Sequence, residues 1–314
     1  MTLSVIEAIA IPLVIALLFI VGGGIGIAFV SVFPLRFRVK SFPTRFGAQF
    51  EDISFTSSDS ILLRGWWIPA LQTPQGSVIL SHGMLANRTQ MLAWAEVLWR
   101  AGYNVLLYDF RANGHSEGDR CTAGGLEIND LRAAVDFACA RPEACGLPIC
   151  LFGFSMGGAA TIMVASSDAR ISCAAVYGAF ASLDRAIRHR CHHHFGPFSP
   201  IAEWAIMRAG YGFKWFAVDP ATVSPVASIA GGRQLPLLVF NGGRDTIVPV
   251  TDAKLILSAS APGSARMLIL PRSGHGPVHR TEWPMVQQEL ITFYNDQVRS
   301  QSGAHRLTQT AGSV

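Results

Sequence analysis

Six short apolar runs alternate with stretches of helical length along the middle of the chain, and this pattern constrains the fold more than any other feature. The runs begin at Ser77, Tyr103, Pro148, Cys173, Leu235 and Ala265. Most intervals between them are long enough for a helix, as at 89–100 and 127–140. Strands without alternating polarity are typical of sheets that are covered on both faces. The sequence therefore predicts an α/β fold with a mostly parallel central sheet flanked by helices.

Two further strands are predicted before the first of these runs. The segments 53–56 and 61–68 are rich in β-forming residues and are separated by the polar turn 57–60. We expect them to form a hairpin at the start of the domain.

The interval between the fourth and fifth runs breaks the alternation. It covers 184–232, nearly fifty residues without a clear strand. A compact domain rarely leaves so long a segment as bare loop. We therefore expect a helical cap inserted over the functional site, whose aromatic and apolar side chains either line a substrate pocket or pack onto the core.

A run of 28 uncharged residues, Ala8 to Leu35, precedes the predicted domain. About 20 apolar residues are enough to cross a bilayer. No Lys or Arg comes before the run, it is long for a secretory signal peptide, and no clear cleavage site follows it. The pattern favours an uncleaved transmembrane helix over a signal peptide. Because small residues are common in such helices, the glycine cluster at 22–26 predicts no specific helix packing and no dimer.

Basic residues flank only one end of the apolar run. Arg36, Arg38, Lys40 and Arg45 follow it, whereas Glu7 is the one charged residue before it. Because cytoplasmic flanks carry the excess of Lys and Arg, this asymmetry predicts a domain that faces the cytoplasm. The same cluster is also suited to binding anionic lipid headgroups.

These observations divide the chain into three parts. We expect an anchor with its basic flank at 1–40, a globular domain at 45–298 that includes the cap, and a polar, disordered tail at 299–314. A hydrophobic content of 50% with 15% charged residues agrees with a membrane segment. The net charge of +4 is too small to indicate nucleic-acid binding, and the sequence does not predict an oligomeric state.

The segment Gly153-Phe154-Ser155-Met156-Gly157 lies between a predicted strand and a predicted helix. Glycines on both sides of a serine allow the tight strand-to-helix turn that exposes its hydroxyl group. The start of the following helix favours negative charge. This context predicts that Ser155 is a nucleophile.

A serine hydroxyl needs a histidine to accept its proton and a carboxylate to orient that histidine. Asp245 follows the predicted strand at 237–240, and His275 follows the predicted strand at 267–270. Loops at the carboxyl ends of parallel strands meet at one edge of the sheet. We therefore expect His275 to act as the base for Ser155 and Asp245 to orient His275.

Alternatives exist for two of these roles. Asp252 and Asp219 are alternative acids, but neither directly follows a predicted strand. His279 is an alternative base, but His275 lies between two glycines, which suit a tight loop better. The sequence therefore favours Asp245 and His275.

An oxyanion formed on an acyl substrate requires two backbone N–H donors. Met156 directly follows Ser155 and is the first expected donor. Met84, in the loop 81–85 that follows a predicted strand, is the second. His82 in the same loop is expected to brace it rather than to act as a second base.

Five motifs in this order resemble the α/β-hydrolase superfamily. They are His82-Gly83 after a strand, Asp109 to Gly118, Gly153 to Gly158, Gly242 to Pro249, and Ser273 to Gly276. The similarity covers roughly 51–294 and is closest to the membrane-anchored lysophospholipase-like and serine-aminopeptidase-like (S33-type) branches. It implies an α/β-hydrolase fold and a structural role for Asp109 and Arg111. Relatives more often carry a glycine after the arginine, where this chain has Ala112.

The motifs and the resemblance lead us to expect a serine hydrolase that cleaves a carboxylic ester through an acyl-enzyme intermediate, in the carboxylesterase or lipase class. The anchor and the aromatic cap favour a lipid or another apolar acyl ester as substrate. The alternatives are a peptidase or amidase, an acyltransferase that uses the same three residues, and a non-catalytic binding protein on a hydrolase fold.

Two further groups of residues bear on cofactors. The six cysteines form no C-x-x-C pair, and several lie in apolar segments where a free thiol is a small buried hydrophobe. The run 189–194 contains four histidines and one cysteine, which are zinc-ligand types, but no second ligand pair with suitable spacing is present. We expect neither a metal nor a cofactor.

Overall fold

Eight strands form one sheet in the computed structural model, which describes residues 5–311. The strands are Glu51–Thr56 (β1), Leu62–Ile68 (β2), Ser77–Ser81 (β3), Asn104–Tyr108 (β4), Ile149–Phe154 (β5), Ile171–Tyr177 (β6), Leu237–Gly242 (β7) and Ala265–Leu270 (β8). The helices are Val5–Val32 (α1), Leu92–Arg100 (α2), Glu127–Cys139 (α3), Met156–Ala165 (α4), Leu183–Phe195 (α5), Ser199–Gly212 (α6), Pro225–Gly231 (α7), Val250–Ala259 (α8) and Trp283–Ala311 (α9).

The sheet has the strand order β1-β2-β4-β3-β5-β6-β7-β8. Strand β2 pairs antiparallel with β1 and β4, which confirms the predicted hairpin, and the pairs from β4 through β8 are parallel. Every residue of β3, β4, β5, β6 and β7 is buried. The uninterrupted apolar runs therefore mark strands that are covered on both faces, as expected.

Two apolar cores lie on opposite faces of the sheet. Cys150 and Phe152 of β5 belong to one core, and Leu151 between them belongs to the other. Successive strand residues point to opposite faces, so a single strand supplies both cores. The C-terminal helix α9 packs on the first face, where Tyr294 donates a hydrogen bond of 2.7 Å to the Leu151 carbonyl.

The segment between β6 and β7 is helical, and α5 and α6 form the cap. Helix α7 differs, because Ile229 is buried and Val226 half-buried in the same core as α4 and α8. Helix α7 therefore packs on the core although it lies within 184–232, and the bounds of the cap stay a prediction. Helix α7 has only seven residues, too few to show a helical period in the sequence.

Helix α1 packs against the cap, and two of its glycines, Gly23 and Gly24, lie at the contact. A Cβ atom on Gly24 would lie 3.0 Å from the Ala202 carbonyl oxygen and 3.3 Å from the Ala205 Cβ, and one on Gly23 would lie 3.3 Å from Phe195. The expectation that the glycine cluster has no specific packing role is wrong. Small residues let two helix backbones approach closely, and here the partner is α6 of the same chain.

Among the described residues, one helical segment, Ile9–Val32, is long and apolar enough to cross a membrane. A signal sequence satisfies the same criteria of length and composition. The far end of the helix is fixed to the domain, because the Cys121 N–H donates to the Val32 carbonyl at 2.7 Å. The Arg36 guanidinium also donates to the carbonyl oxygens of Ser116 and Gly118.

The last helix is longer than the sequence predicts. Helix α9 continues to Ala311, so the predicted disordered tail at 299–314 is helical over 299–311, and 312–314 lie outside the described residues. Residues such as Val298 anchor the preceding turns to the core. Because 299–311 contains no proline, the residue that most strongly breaks a helix is absent from this extension.

Candidate active site

Ser155 occupies a sharp turn between β5 and α4. Its backbone has φ 54° and ψ −117°, a conformation that is strained for any residue other than glycine. The neighbouring glycines allow this turn, because a Cβ atom on Gly153 would lie 2.2 Å from the Gly157 carbonyl oxygen and one on Gly157 would lie 2.3 Å from the Ser81 carbonyl oxygen. The sequence therefore folds locally so that the Ser155 hydroxyl stands above the sheet at the start of α4.

The structure brings together the three residues that the sequence singles out. The Ser155 Oγ lies 2.9 Å from the His275 Nε2, and the His275 Nδ1 lies 2.7 Å from the Asp245 Oδ2. Ser155 follows β5, Asp245 follows β7 and His275 follows β8, so the carboxyl edge of one parallel sheet positions all three. This arrangement allows a proton to pass from the serine hydroxyl to the imidazole while the carboxylate holds the Nδ1 proton.

The loop after β7 fixes Asp245. Its Oδ1 accepts hydrogen bonds from the backbone N–H groups of Ile247 at 2.9 Å and Val248 at 2.8 Å, which leaves Oδ2 for His275. The Asp245 side chain has no exposed surface. The carboxylate is therefore held in one orientation by three hydrogen bonds, and its charge is shielded from solvent.

The loop that carries His275 is held by side chains at the ends of β5 and β6. The Tyr177 hydroxyl donates to the Gly274 carbonyl at 2.6 Å, and the Phe154 ring lies 5.0 Å from the imidazole, centroid to centroid. Burial raises the pKa of Tyr177 to about 12, so its hydroxyl stays protonated and keeps donating at neutral pH.

The alternative acids and base make other contacts. Asp252 accepts from the Arg185 Nε at 2.6 Å, and Asp219 accepts from the Ala221 N–H at 2.9 Å at the start of a short helical turn. His279 pairs through Nδ1 with the Thr281 hydroxyl at 2.8 Å. Asp252 and His279 therefore have partners of their own outside the hydrogen-bonded chain of Ser155, and Asp219 caps a turn.

Both residues predicted as oxyanion donors border the same cavity as Ser155. Met156 is the first residue of α4, where backbone N–H groups have no partner within the helix. Met84 lies in the loop after β3, next to Gly83, whose N–H donates to the Gln90 Oε1 at 2.7 Å. The assignment of Met84 and Met156 as donors stays a prediction.

His82 is fully buried and ties this loop to the sheet. Its Nδ1 lies 2.7 Å from the Gly83 carbonyl oxygen, and its Nε2 accepts from the Phe110 N–H at 3.0 Å. The imidazole therefore carries its proton on Nδ1. Burial lowers the pKa of His82, so the neutral ring is the stable form.

Two buried side chains after β4 hold the loop 109–118. Asp109 accepts from the N–H groups of Arg88 and His115, each at 2.8 Å. The Arg111 guanidinium bridges Asp59 and Asp130, with shortest contacts of 2.6 Å to each. Its hydrogen bonds lower the pKa of Asp59 to about 2. All of these contacts are internal to the domain, and neither Asp109 nor Arg111 borders the cavity over Ser155.

A cavity of about 430 Å³ opens over Ser155 and His275. Its lining comes mostly from apolar side chains of α1, the loops 84–85 and 121–123, helix α5 and the segment 216–220. Arg190 and His275 are the basic residues in this lining. The volume and apolar walls suit an organic molecule of modest size with a long apolar part.

Sequence reasoning missed the contribution of α1 to this cavity. Ile27, Ala28, Ser31 and Val32 line it, although they lie in the segment that was assigned only to anchoring. The signal in the sequence was the glycine cluster, which indicates that another helix comes close to α1.

The histidine-rich run lies on α5. Cys191 is buried against α1 and α6, whereas His192 to His194 are mostly exposed. The His189 Nε2 lies 3.0 Å from the Thr246 carbonyl oxygen. In the described part of the chain, no group of three or more His, Cys, Asp or Glu side chains is placed to hold a metal ion.

The protein is similar to hydrolases in both sequence and structure. The family model described as serine aminopeptidase, S33, matches residues 72–224. The α/β hydrolase domain-containing protein WAV2 of Arabidopsis thaliana is 29% identical over 229 residues, 70% of this chain and 69% of that protein. The protein YfhR of Salmonella typhi is 29% identical over 232 residues, 73% of this chain and 75% of that protein.

Solved structures show the same likeness. An esterase of Pyrococcus furiosus, Pf2001, superposes with a TM-score of 0.69 at 25% identity and covers 85% of this chain and 98% of its own. The esterase domain of a Rhodothermus marinus protein superposes with a TM-score of 0.56 at 20% identity and covers 80% of this chain. The second of these supports the fold alone.

The sheet order, the strained serine turn and these likenesses define an enzyme of the hydrolase class. The chain has the α/β-hydrolase fold and resembles the S33 serine-aminopeptidase-like proteins.

Proposed function

We propose that the protein is a membrane-anchored serine hydrolase that cleaves a carboxylic ester with an apolar acyl group. The observation that carries the proposal is the hydrogen-bonded chain from Ser155 through His275 to Asp245 at the floor of an apolar cavity. A general base, an oriented nucleophile and a site sheltered from water are what acyl transfer requires.

In the proposed reaction the Ser155 Oγ attacks the ester carbonyl carbon and its proton passes to the His275 Nε2. Asp245 stabilises the imidazolium, and the N–H groups of Met84 and Met156 donate to the oxyanion. The C–O bond to the leaving alcohol then breaks, and the alcohol takes the proton from His275. Water next attacks the acyl-enzyme, gives a proton to His275, and frees the carboxylic acid as Ser155 regains its proton.

The cavity favours an apolar acyl group, because its exposed lining is mostly carbon and its volume fits one organic chain. The esterase named among the similar structures supports an ester over an amide. A peptidase or amidase would use the same three residues, and so would an acyltransferase whose acceptor is an alcohol instead of water.

We further propose that α1 anchors the protein in a membrane with the domain on the cytoplasmic side. Its apolar segment Ile9–Val32 is long enough to span. Arg38, Lys40 and Arg45 are exposed after it, as the charge asymmetry of cytoplasmic flanks requires. Protease added outside intact cells should leave the domain whole, and digestion without permeabilising the cells would refute this orientation.

The reaction is tested with p-nitrophenyl esters of increasing acyl length and the full chain in lipid nanodiscs. Ser155→Ala should abolish hydrolysis, whereas Ser167→Ala at the opposite end of α4 should retain it, because Ser167 is exposed there. Cleavage of a p-nitroanilide in place of the esters would favour an amidase. Transfer of the acyl group to an added alcohol in preference to water would favour an acyltransferase. No Ser155-dependent turnover with any of these substrates would favour a binding protein.

A further inference from the structure

Helix α1 borders the space above the nucleophile. Ile27 and Ala28, together with Ser31 one turn later, lie on one side of this helix and line the same cavity as Ser155 and His275. The opposite side of the helix is exposed at Val30. The segment that was expected only to hold the protein in a membrane is therefore also a wall of the candidate active site.

The small residues of α1 leave room along this wall. Ala28 is buried against α6, and Ser31 is half-buried beside the cavity. Across the cavity, α5 presents Leu183, Ala186 and Ile187 at helical spacing. Both helices therefore supply apolar lining to the cavity that contains Ser155.

We propose that α1 determines acyl-chain specificity and that the substrate is a single-chain acyl ester from the membrane, whose chain packs against Ile27 and Ser31. This inference rests on the proposed function, since it assigns the substrate class of the same site. A cavity of about 430 Å³ holds one such chain beside the ester, which favours a single-chain over a two-chain lipid.

The position of α1 relative to the cap places this cavity near the bilayer. Residues 9–19 are exposed, whereas the buried contact with the cap begins at Ile20. At 1.5 Å per residue, 9–19 covers roughly 16 Å, about half of a hydrocarbon core of roughly 30 Å. A spanning α1 therefore keeps residues after Ile20, and the part of the cap that packs on them, at bilayer depth.

The cap surface agrees with this position. Trp204, Tyr211 and Phe213 are exposed on or next to α6, which is the helix that packs on α1. Exposed aromatic side chains of this kind lie at the boundary between lipid and water. A lipid ester can therefore pass from the bilayer along α1 to Ser155 without crossing bulk water.

The test compares how fast Ser155 reacts with a dodecyl and with an ethyl fluorophosphonate, using the full chain in phosphatidylcholine nanodiscs. The readout is the ratio of the two second-order rate constants. Ser31→Phe fills the cavity beside α1 and should lower the ratio at least tenfold. Val30→Phe, on the exposed side of the same helix, should not change the ratio. Partition of the dodecyl probe into lipid is common to all variants and cancels in the comparison.

A second pair of variants, Ile27→Ala and Val30→Ala, keeps the test decisive if Ser31→Phe does not fold. Ile27→Ala removes an apolar contact from the wall and should lower the ratio at least threefold, whereas Val30→Ala should retain it. The inference is overturned if the ratio of rate constants in Ser31→Phe or in Ile27→Ala stays within twofold of that in the unmodified protein. This holds even if ester hydrolysis depends on Ser155. If Ser155 reacts with neither probe, the proposed function falls and the inference falls with it.

Discussion

The backbone N–H of Cys121 donates a 2.7 Å hydrogen bond to the carbonyl oxygen of Val32, the last residue of α1. The accepting carbonyl is one of those that a helix leaves unpaired at its C-terminus. Cys121 and Val32 both line the cavity over Ser155. The hydrogen bond therefore joins the end of the apolar helix to the candidate active site, and a change in α1 is expected to alter that site.

The Asp245→Asn variant tests the orienting role of the carboxylate. An asparagine cannot accept from Ile247, Val248 and His275 at once, because one of its two terminal atoms is a donor. The imidazole of His275 is then expected to carry its proton on Nε2, where it cannot accept the proton of Ser155. The kcat for ester hydrolysis should fall by about 10⁴.

Asp252→Asn is the matched control for this change. Asp252 is also a buried acid after β7, but it pairs with Arg185. The substitution should lower the melting temperature and leave kcat within about threefold of the original. A larger loss of kcat in Asp252→Asn than in Asp245→Asn would reverse the assignment of the acid.

Gly24→Leu tests the packing of α1 on the cap. Because a Cβ at this position already lies 3.0 Å from the Ala202 carbonyl oxygen, a larger side chain must push α6 away. We expect a loss of about 1–3 kcal/mol in the free energy of unfolding, together with faster proteolysis of the cap, in lipid nanodiscs.

Gly26→Leu provides the comparison for Gly24→Leu. Gly26 is exposed on the same helix, and a Cβ there meets no atom within 4 Å. Equal stability of the two variants would show that α1 does not pack on α6 in the membrane.

Arg111→Met tests the buried ion pairs behind the site. It leaves the fully buried Asp130 without its cation, which should cost about 3–5 kcal/mol in chemical denaturation. Arg120→Met removes an exposed pair with Asp119 and should change stability by about 0.5 kcal/mol or less. Similar losses in both variants would contradict the structural role of Arg111.

One physical reason makes both the sheet and the proximity of Ser155, Asp245 and His275 predictable from the sequence. Each of the three follows an apolar run, and runs without alternation mark buried parallel strands whose ends lie together. Local pattern and strand order are enough to place them, so no knowledge of distant contacts is needed.

Other features depend on contacts that local pattern does not contain. The close approach of Gly24 to Ala202 joins helices that lie far apart in the sequence, within an apolar cluster that both helices contribute to. The C-terminal helix continues past Val298 because the preceding turns are anchored in the core, which the polar composition after it does not reveal.

The pH dependence of stability follows from His82. Burial lowers its pKa below that of the unfolded chain, so the unfolded chain binds a proton more readily than the folded protein. The free energy of unfolding should therefore fall as the pH drops below about 6.5, with a slope of up to about 1.4 kcal/mol per pH unit from this group. A protonated ring also loses the Nε2 acceptor that binds the Phe110 N–H, which loosens the loop of Met84.

His82→Gln should be less stable at every pH, and its free energy of unfolding should change less between pH 7 and pH 5 than that of the unmodified protein. His193→Gln, which replaces an exposed histidine on α5, should retain the original slope. Chemical denaturation at several pH values measures both. The carboxylates contribute to the slope in all three proteins, so the difference between His82→Gln and the other two isolates the buried imidazole. If the free energy of unfolding of His82→Gln depends on pH as steeply as that of the unmodified protein, the neutral His82 imidazole does not stabilise the loop.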